Sequence, residues 1–273
     1  MNSTHTLGVI GAGNMGSALI RGSLTAKLFS PEQVIASRRN EGARLALGEE
    51  LGIRTTGDNR EVVAQSDLII LAIKPQGFRD LLLELDGCFH PGQTVISVAA
   101  GIALDTLERG VGPTVPVIRV MPNTPALVGE GVSPYCLGNA ADATHGARVA
   151  ELLSTVGDSM EVPEQWMNPI TATSGSGPAY LFYLAEGMQK GAEELGLPAD
   201  LAERLVHQTL FGAAKLLRES PEKAAELRQR VTSPGGTTAA AIAVFDEKGV
   251  NRAVVDALSA ASRRGVELGA TKD

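Results

Sequence analysis

An α/β region followed by an all-helical region is what the order of apolar runs in this chain predicts. Three observations carry that expectation. Short apolar runs alternate with helical spacing over the first 163 residues, a glycine-rich turn joins the first run to the first helix, and no convincing strand follows Pro163. Alternation of this kind is the mark of β-α-β winding around a parallel sheet. The chain therefore divides into an α/β domain over residues 1–163 and a helical domain over residues 164–273.

Composition narrows the class. With 44% hydrophobic and 20% charged residues, the 273-residue chain reads as an ordinary soluble globular protein. Its 31 acidic and 24 basic side chains leave a net charge of -7, and no basic stripe offsets it. That argues against nucleic acid as a partner. Cys88 and Cys136 lack CxxC or metal-ligand spacing and the four histidines add none, so no metal is expected. The glycine turn begins at residue 11 with no apolar or Arg-rich leader before it, and no apolar run is long enough to span a bilayer. The expectation is a cytoplasmic protein without a membrane partner.

The elements follow in order. Residues 6–10 form a short apolar strand that ends in Gly11-Ala12-Gly13-Asn14-Met15-Gly16, and helical spacing continues through Leu19, Ile20 and Leu24. This is G-x-G-x-x-G between a strand and a helix, where the glycines allow a tight turn, backbone approach to a pyrophosphate and close helix–sheet packing. The six residues are candidate cofactor contacts in a Rossmann-type dinucleotide-binding domain; a glycine turn in an unrelated α/β protein is the competing reading. A second strand over 34–37 ends in Ser37-Arg38-Arg39-Asn40, where NAD sites usually carry Asp or Glu. Two guanidiniums and a hydroxyl suit a 2′-phosphate, which a carboxylate would repel. NADPH is thus expected over NADH, which stays possible, unless the arginines merely lie in solvent at a helix start. Asn59 is a further candidate cofactor contact.

The strand over 67–73 is an almost continuous apolar run, suited to burial on both faces of a parallel sheet. Its carboxyl end makes Ala72, Lys74 and Pro75 candidate cofactor contacts, although Lys74 also reads as a solvent-facing terminator. The strand over 94–99 ends at Ala100-Gly101, two more candidates. Strands over 116–121, 132–137 and 159–162, with a helix over 141–153, complete a sheet of six to eight strands. Between them lies the rigid turn Pro122-Asn123-Thr124-Pro125.

Beyond Pro163 five helices are expected, over 178–195, 199–218, 221–230, 237–247 and 251–268. His207, read as having no carboxylate or second His one turn away, is expected to be a packing or surface residue. Trp166 is expected to pack at the domain junction. One stretch stands apart: Val231-Thr232-Ser233-Pro234-Gly235-Gly236-Thr237-Thr238, a loop that delivers backbone N–H groups and hydroxyls onto a helix N-terminus. Such an end suits a carboxylate or phosphate. Its alternative is an ordinary helix cap after a turn.

Taken together, these segments resemble pyrroline-5-carboxylate reductase. The resemblance rests on Gly11 to Gly16, Ala72-Ile73-Lys74-Pro75, Arg119-Val120-Met121-Pro122-Asn123-Thr124-Pro125, Ser174-Gly175-Ser176-Gly177-Pro178-Ala179-Tyr180, and above all the stretch Val231 to Thr238. It implies reduction of the cyclic imine 1-pyrroline-5-carboxylate to L-proline by hydride from NAD(P)H, the last step of proline biosynthesis. It further implies that the substrate carboxylate sits on the N–H groups of Gly236, Thr237 and Thr238. The Thr238 hydroxyl would meet the ring nitrogen as the catalytic contact, and Ser233 and Glu164 would line the pocket. The helical domain would be a dimerisation domain, giving an interwoven homodimer or a higher assembly of dimers. Family members differ in cofactor preference, so the resemblance does not place Arg38-Arg39. A β-hydroxyacid dehydrogenase on the same plan would need a catalytic lysine and an asparagine one turn later in the first long helix, a pair absent from residues 185–194. A non-catalytic NADP-binding regulator would show no turnover with the imine.

Overall fold

A computed structural model describes residues 5–270. Two compact units separate: the chain up to Ser176 together with the chain from Ala261 onward, and Gly177–Ala260.

In the first unit, eight strands among the described residues form one sheet: β1 (Leu7–Ile10), β2 (Val34–Ser37), β3 (Arg54–Thr56), β4 (Leu68–Leu71), β5 (Thr94–Ser97), β6 (Val117–Val120), β7 (Gly131–Leu137) and β8 (Gly157–Glu161). Their order is β3-β2-β1-β4-β5-β6-β7-β8. All neighbours are parallel except β6 and β7, which run antiparallel. β1, β2, β4, β5 and β6 are buried at every residue, because helices cover both faces. Val9, Val34 and Ile70 face a cluster with Leu19 and Ile20 of α1 (Asn14–Thr25), Leu47 of α2 (Glu41–Leu51), and Val149 and Leu152 of α6 (Ala143–Ser154). Ile10, Ile35, Ile69 and Val95 face the other way, onto Val62 and Val63 of α3 (Asn59–Ala64), Phe78 and Leu81 of α4 (Phe78–Glu84), and Leu107 of α5 (Leu104–Val111). The period-2 alternation of Cβ directions sends adjacent apolar residues to opposite faces, so an unbroken apolar run is the right sequence for these strands.

After β8 a short helix, α7 (Met167–Ile170), runs into a π-helical turn over Thr171–Gly175. The second unit is helical: α8 (Gly177–Glu194), α9 (Ala199–Glu219), α10 (Ala224–Arg230), α11 (Thr237–Glu247) and the start of α12 (Val250–Ala270). Its buried residues are few and small, such as Ala185, Ala202 and Val206. Leu181, Phe182, Tyr183, Leu184, Phe211 and Phe245 are all exposed in the single chain. No helix among the described residues is long and apolar enough to cross a membrane.

Four points depart from the sequence reading. β3 was not expected, because its Arg-Thr-Thr is a polar edge strand with no apolar run to announce it. The third helix of the second region starts at Ala224 rather than at Pro221. There the Glu222 N–H donates to the Ser220 hydroxyl, and the Lys223 N–H donates to Glu226, which caps the helix later. Trp166 is 53% exposed instead of packed. Glu203 does stand one turn before His207, with Nδ1–Oε1 4.0 Å, although both side chains are exposed. At an exposed site such a contact contributes little.

Ile70 is fully buried in the central strand. Ile70→Ala should therefore lower stability by about 2–5 kcal/mol, read as a shift in the urea midpoint at unchanged slope. A loss under about 1 kcal/mol would mean that the sheet face carrying Ile70 is not packed as described.

Candidate active site

The strand order places β1 between β2 and β4, so the winding reverses there. Ligands of open α/β sheets bind at the carboxyl ends of the strands beside such a reversal. The chain leaves β1 through Gly11, whose φ of +85° only glycine adopts without strain. The N–H groups of Gly11 and Ala12 both donate to the Ser37 carbonyl, at 3.1 and 2.9 Å, which ties the turn to the end of β2. A Cβ on Gly11 would lie 2.5 Å from Ile73 Cγ2, and one on Gly16 would lie 3.0 Å from both Gly11 O and Val9 Cγ1. Gly13 differs, because a Cβ there would meet nothing closer than 3.9 Å. Its missing side chain leaves open space above the backbone at the start of α1, where no side chain caps the helix. Uncapped first-turn N–H groups beside open space fit a pyrophosphate.

The neighbouring strand ends complete this edge. The Ala72 N–H donates to Ile10 O at 2.8 Å, and the exposed Lys74 precedes a 3₁₀ turn over Pro75–Gly77. Ala100 and Gly101 form a half-buried turn after β5, with Gly101 at φ +74°. Ser37 is 2% exposed, and its hydroxyl donates to Asn59 Oδ1 at 2.6 Å; the Asn59 amide in turn donates to Glu84 at 3.1 Å. Ser37 and Asn59 thus hold each other, a brace that sequence reasoning missed in treating each as a free cofactor contact. Arg38 and Arg39 have no carboxylate partner among the described residues, since nearby Glu41 pairs with Arg44. Arg38 lines a groove of about 600 Å³ with Gly13, Asn14 and Ala43.

A buried polar lock lies elsewhere in the first unit. Arg119, on β6 and 7% exposed, donates to Glu164 Oε1 at 2.8 Å. The same oxygen accepts the N–H of Leu104 at 2.7 Å, at the start of α5. Glu164, expected in a substrate pocket, is therefore engaged by its own unit through that oxygen. Cys136 stands opposite Arg119 in the β6–β7 register. Burial pushes its thiol up to about 12, with Glu164 adding to the rise and Arg119 opposing it. Asn123 accepts from the Val132 N–H at 2.9 Å and donates to Ser174 O at 3.1 Å, pinning the proline turn to β7 and to the π turn. Thr171, Thr173 and Ser174 hydroxyls donate to carbonyls four residues back through that turn. These contacts were not anticipated. The available signals were an arginine inside an apolar strand, an asparagine between two prolines, and the hydroxyl-rich run over 171–176.

In the second unit the loop before α11 has two differently used glycines. Gly235 has φ +70°, and a Cβ on Gly236 would lie 2.4 Å from Ser233 Oγ. The Gly236 N–H donates to Ser233 O at 3.0 Å, closing the turn. That donor, expected on the substrate carboxylate, is already engaged, which leaves the Thr237 and Thr238 N–H groups at the helix start. No side chain caps α11. Ser233 and Thr237 are exposed and Thr238 is half-buried. Among the described residues no group of His, Cys, Asp or Glu could hold a metal ion.

Comparison with known proteins agrees with both halves. Residues 6–101 match a family model described as NADP oxidoreductase, coenzyme F420-dependent, and residues 164–268 match the pyrroline-5-carboxylate reductase dimerisation model. The pyrroline-5-carboxylate reductase of Pseudomonas aeruginosa is 40% identical over 267 residues, covering 97% of this chain and 97% of that protein. The chain belongs to the pyrroline-5-carboxylate reductase family. A solved pyrroline-5-carboxylate reductase from Coxiella burnetii superposes with a TM-score of 0.89 at 34% identity, covering 97% of this chain and 99% of that one. The Plasmodium falciparum pyrroline carboxylate reductase with NADP bound gives 0.89 at 28% identity, covering 98% and 100%.

Glu164→Ala would leave Arg119 buried without its carboxylate and the Leu104 N–H without its acceptor. The expected loss is about 1.5–3 kcal/mol in urea unfolding. Unchanged stability with lost activity would instead give Glu164 back to the substrate.

Proposed function

We propose that the chain reduces 1-pyrroline-5-carboxylate to L-proline with NADPH, NADH being the lesser cofactor, and that its residues divide the work as follows. Membership of the family supports the reaction class. The observation that carries the site assignment is the uncapped start of α11, which sets the Thr237 and Thr238 N–H groups and the Thr238 hydroxyl directly after a glycine turn.

The chemistry that bound NADPH supplies is a hydride. Gly11, Ala12, Gly13, Asn14, Met15 and Gly16 would hold its pyrophosphate, with Ala72, Lys74, Pro75, Ala100 and Gly101 along the same edge and Arg38 and Arg39 at the adenosine end. The substrate carboxylate would be received by the Thr237 and Thr238 N–H groups, where the helix dipole favours negative charge, with the Ser233 hydroxyl beside them. The Thr238 hydroxyl would orient the ring nitrogen. That nitrogen is cationic once protonated, so no strong acid has to deliver a proton during reduction. This accounts for a loop of hydroxyls and N–H groups with no His or Asp. Catalysis then rests on holding the imine carbon in line, an effect of positioning.

Thr238→Val keeps the branched shape and removes the hydroxyl. With the imine and saturating NADPH, followed at 340 nm, turnover should fall by about tenfold or more while NADPH affinity stays within twofold. Wild-type turnover would sink the assignment of the hydroxyl.

We further propose that residues 1–163 form the cofactor domain and residues 164–273 the dimerisation and substrate-binding domain, and that each site uses two copies of the chain. The apolar residues left exposed on α8 and α9, and the dimerisation model matched by residues 164–268, support this reading. Co-expression of Gly13→Asp with Thr238→Ala tests it. Shared sites give each heterodimer one undamaged site, so activity should rise well above either parent; verified heterodimers that stay at the parental floor would remove the two-chain site.

A further inference from the structure

We infer that Asn123 is a positioning residue for the reduction: its amide gives the Ser174 carbonyl the hydrogen bond that Pro178 cannot give, and so ties the point where the chain leaves the first unit to the end of β6. This rests on the reaction proposed above and adds to it a residue outside the binding loops.

A helical carbonyl accepts from the N–H four residues on. For Ser174 that residue is Pro178, which has no N–H. The backbone is still helical at Ser176, with φ -86° and ψ -18°, so a residue with an N–H at position 178 would be placed to make the bond. Asn123 makes it instead. Its Nδ2 donates to Ser174 O at 3.1 Å, from 51 residues away in the chain. Its Oδ1 accepts the Val132 N–H at 2.9 Å. Asparagine usually spends its side chain on a neighbouring turn or cap, yet here it caps nothing in the 3₁₀ turn over Thr124–Val128 that follows it. Asn123 is 9% exposed, and both ends of its amide are bonded, as burial of such a group demands.

A second contact joins the same two segments. A Cβ on Gly175 would lie 2.6 Å from Met121 Cε, so glycine lets the π turn close on the residue that follows β6. The chain passes out of the first unit directly afterwards, at Ser176. The glycine turn proposed for the cofactor precedes this exit in sequence, and the loop proposed for the substrate follows it. A loosened exit would therefore leave both sets of binding groups intact and act on the alignment of the reacting carbons, where small displacements cost large factors in rate.

The test uses the full-length protein and four variants: Asn123→Ala, Asn123→Asp, Pro178→Ala, and Asn123→Ala combined with Pro178→Ala. It measures kcat and KM for the imine at saturating NADPH, NADPH affinity by nucleotide fluorescence, and urea midpoints. Asn123→Asp keeps the acceptor for Val132 and loses the donor, so it isolates the Ser174 bond and serves if the alanine variant does not fold. Both Asn123 variants should lower kcat by about tenfold while NADPH affinity stays within about twofold. Pro178→Ala offers Ser174 O a backbone N–H again, so in that background Asn123→Ala should cost less than about threefold in kcat. Wild-type kcat in Asn123→Asp, or a loss confined to the urea midpoint, would make the bond merely structural and overturn the role. Loss of NADPH affinity by the same factor as kcat would overturn it by making Asn123 part of the cofactor site. An undiminished cost of Asn123→Ala beside Pro178→Ala would overturn it as well. All these failures leave the reaction standing, whereas a wild-type protein that does not turn over the imine would remove the reaction and this role together.

Discussion

One backbone carbonyl organises the turn between β1 and α1. Ser37 O accepts the N–H groups of both Gly11 and Ala12, so the turn after β1 is held to the end of β2 by main chain alone. That anchor fixes the path of the chain into α1, whose Leu19 and Ile20 are packed in the core. Beyond it, a Cβ on Gly13 would meet nothing closer than 3.9 Å, and no side chain caps the helix start. The anchor requires β1 and β2 to pair in parallel with Ile10 opposite Ser37. It also requires a left-handed residue at Gly11, which L side chains avoid on steric grounds. The Ser37 hydroxyl is spent on Asn59, leaving the charge at this strand end to Arg38 and Arg39.

The same physics recurs before α11, in a separate unit. A glycine turn closed by its own backbone hydrogen bond leads into a helix that no side chain caps. In both places the usual Ser, Thr or Asp cap is missing, and first-turn N–H groups are left without a side-chain acceptor. Of the hydroxyls in the second loop, that of Thr232 donates back to the Arg228 carbonyl at the end of α10, and those of Ser233, Thr237 and Thr238 remain at the start of α11. None of those three caps the start of α11.

The Arg119–Glu164 lock works differently. Arg119 sits in a strand whose neighbours are all buried, where an unpaired charge is costly. Glu164 answers it and also accepts the first N–H of α5, so one carboxylate oxygen joins β6, α5 and the segment after β8. Burial next to this pair also keeps Cys136 protonated. The π turn that follows leaves carbonyls that Thr171, Thr173 and Ser174 hydroxyls reach, a function for the hydroxyl-rich run that period counting does not show.

Much of this was legible in the sequence, for a local reason. A strand buried on both faces must be continuously apolar, so β2 and β4 announced themselves. A helix entered through glycine and threonine announces its start, so α11 was placed at its true bounds, Thr237–Glu247. The left-handed backbone at Gly11 and the approach of Gly16 to Gly11 O and Val9 are local to the turn, whereas the crowding of Gly11 by Ile73 comes from beyond the end of the neighbouring strand. What only the tertiary structure decided depends on residues far apart in the chain. β3 exists because β2 offers it a paired edge, not because Arg-Thr-Thr favours a strand. The antiparallel entry of β7 is set by the proline turn that Asn123 holds. Glu164 was read as a substrate contact, and its engagement by Arg119, 45 residues earlier, could not be seen without the fold.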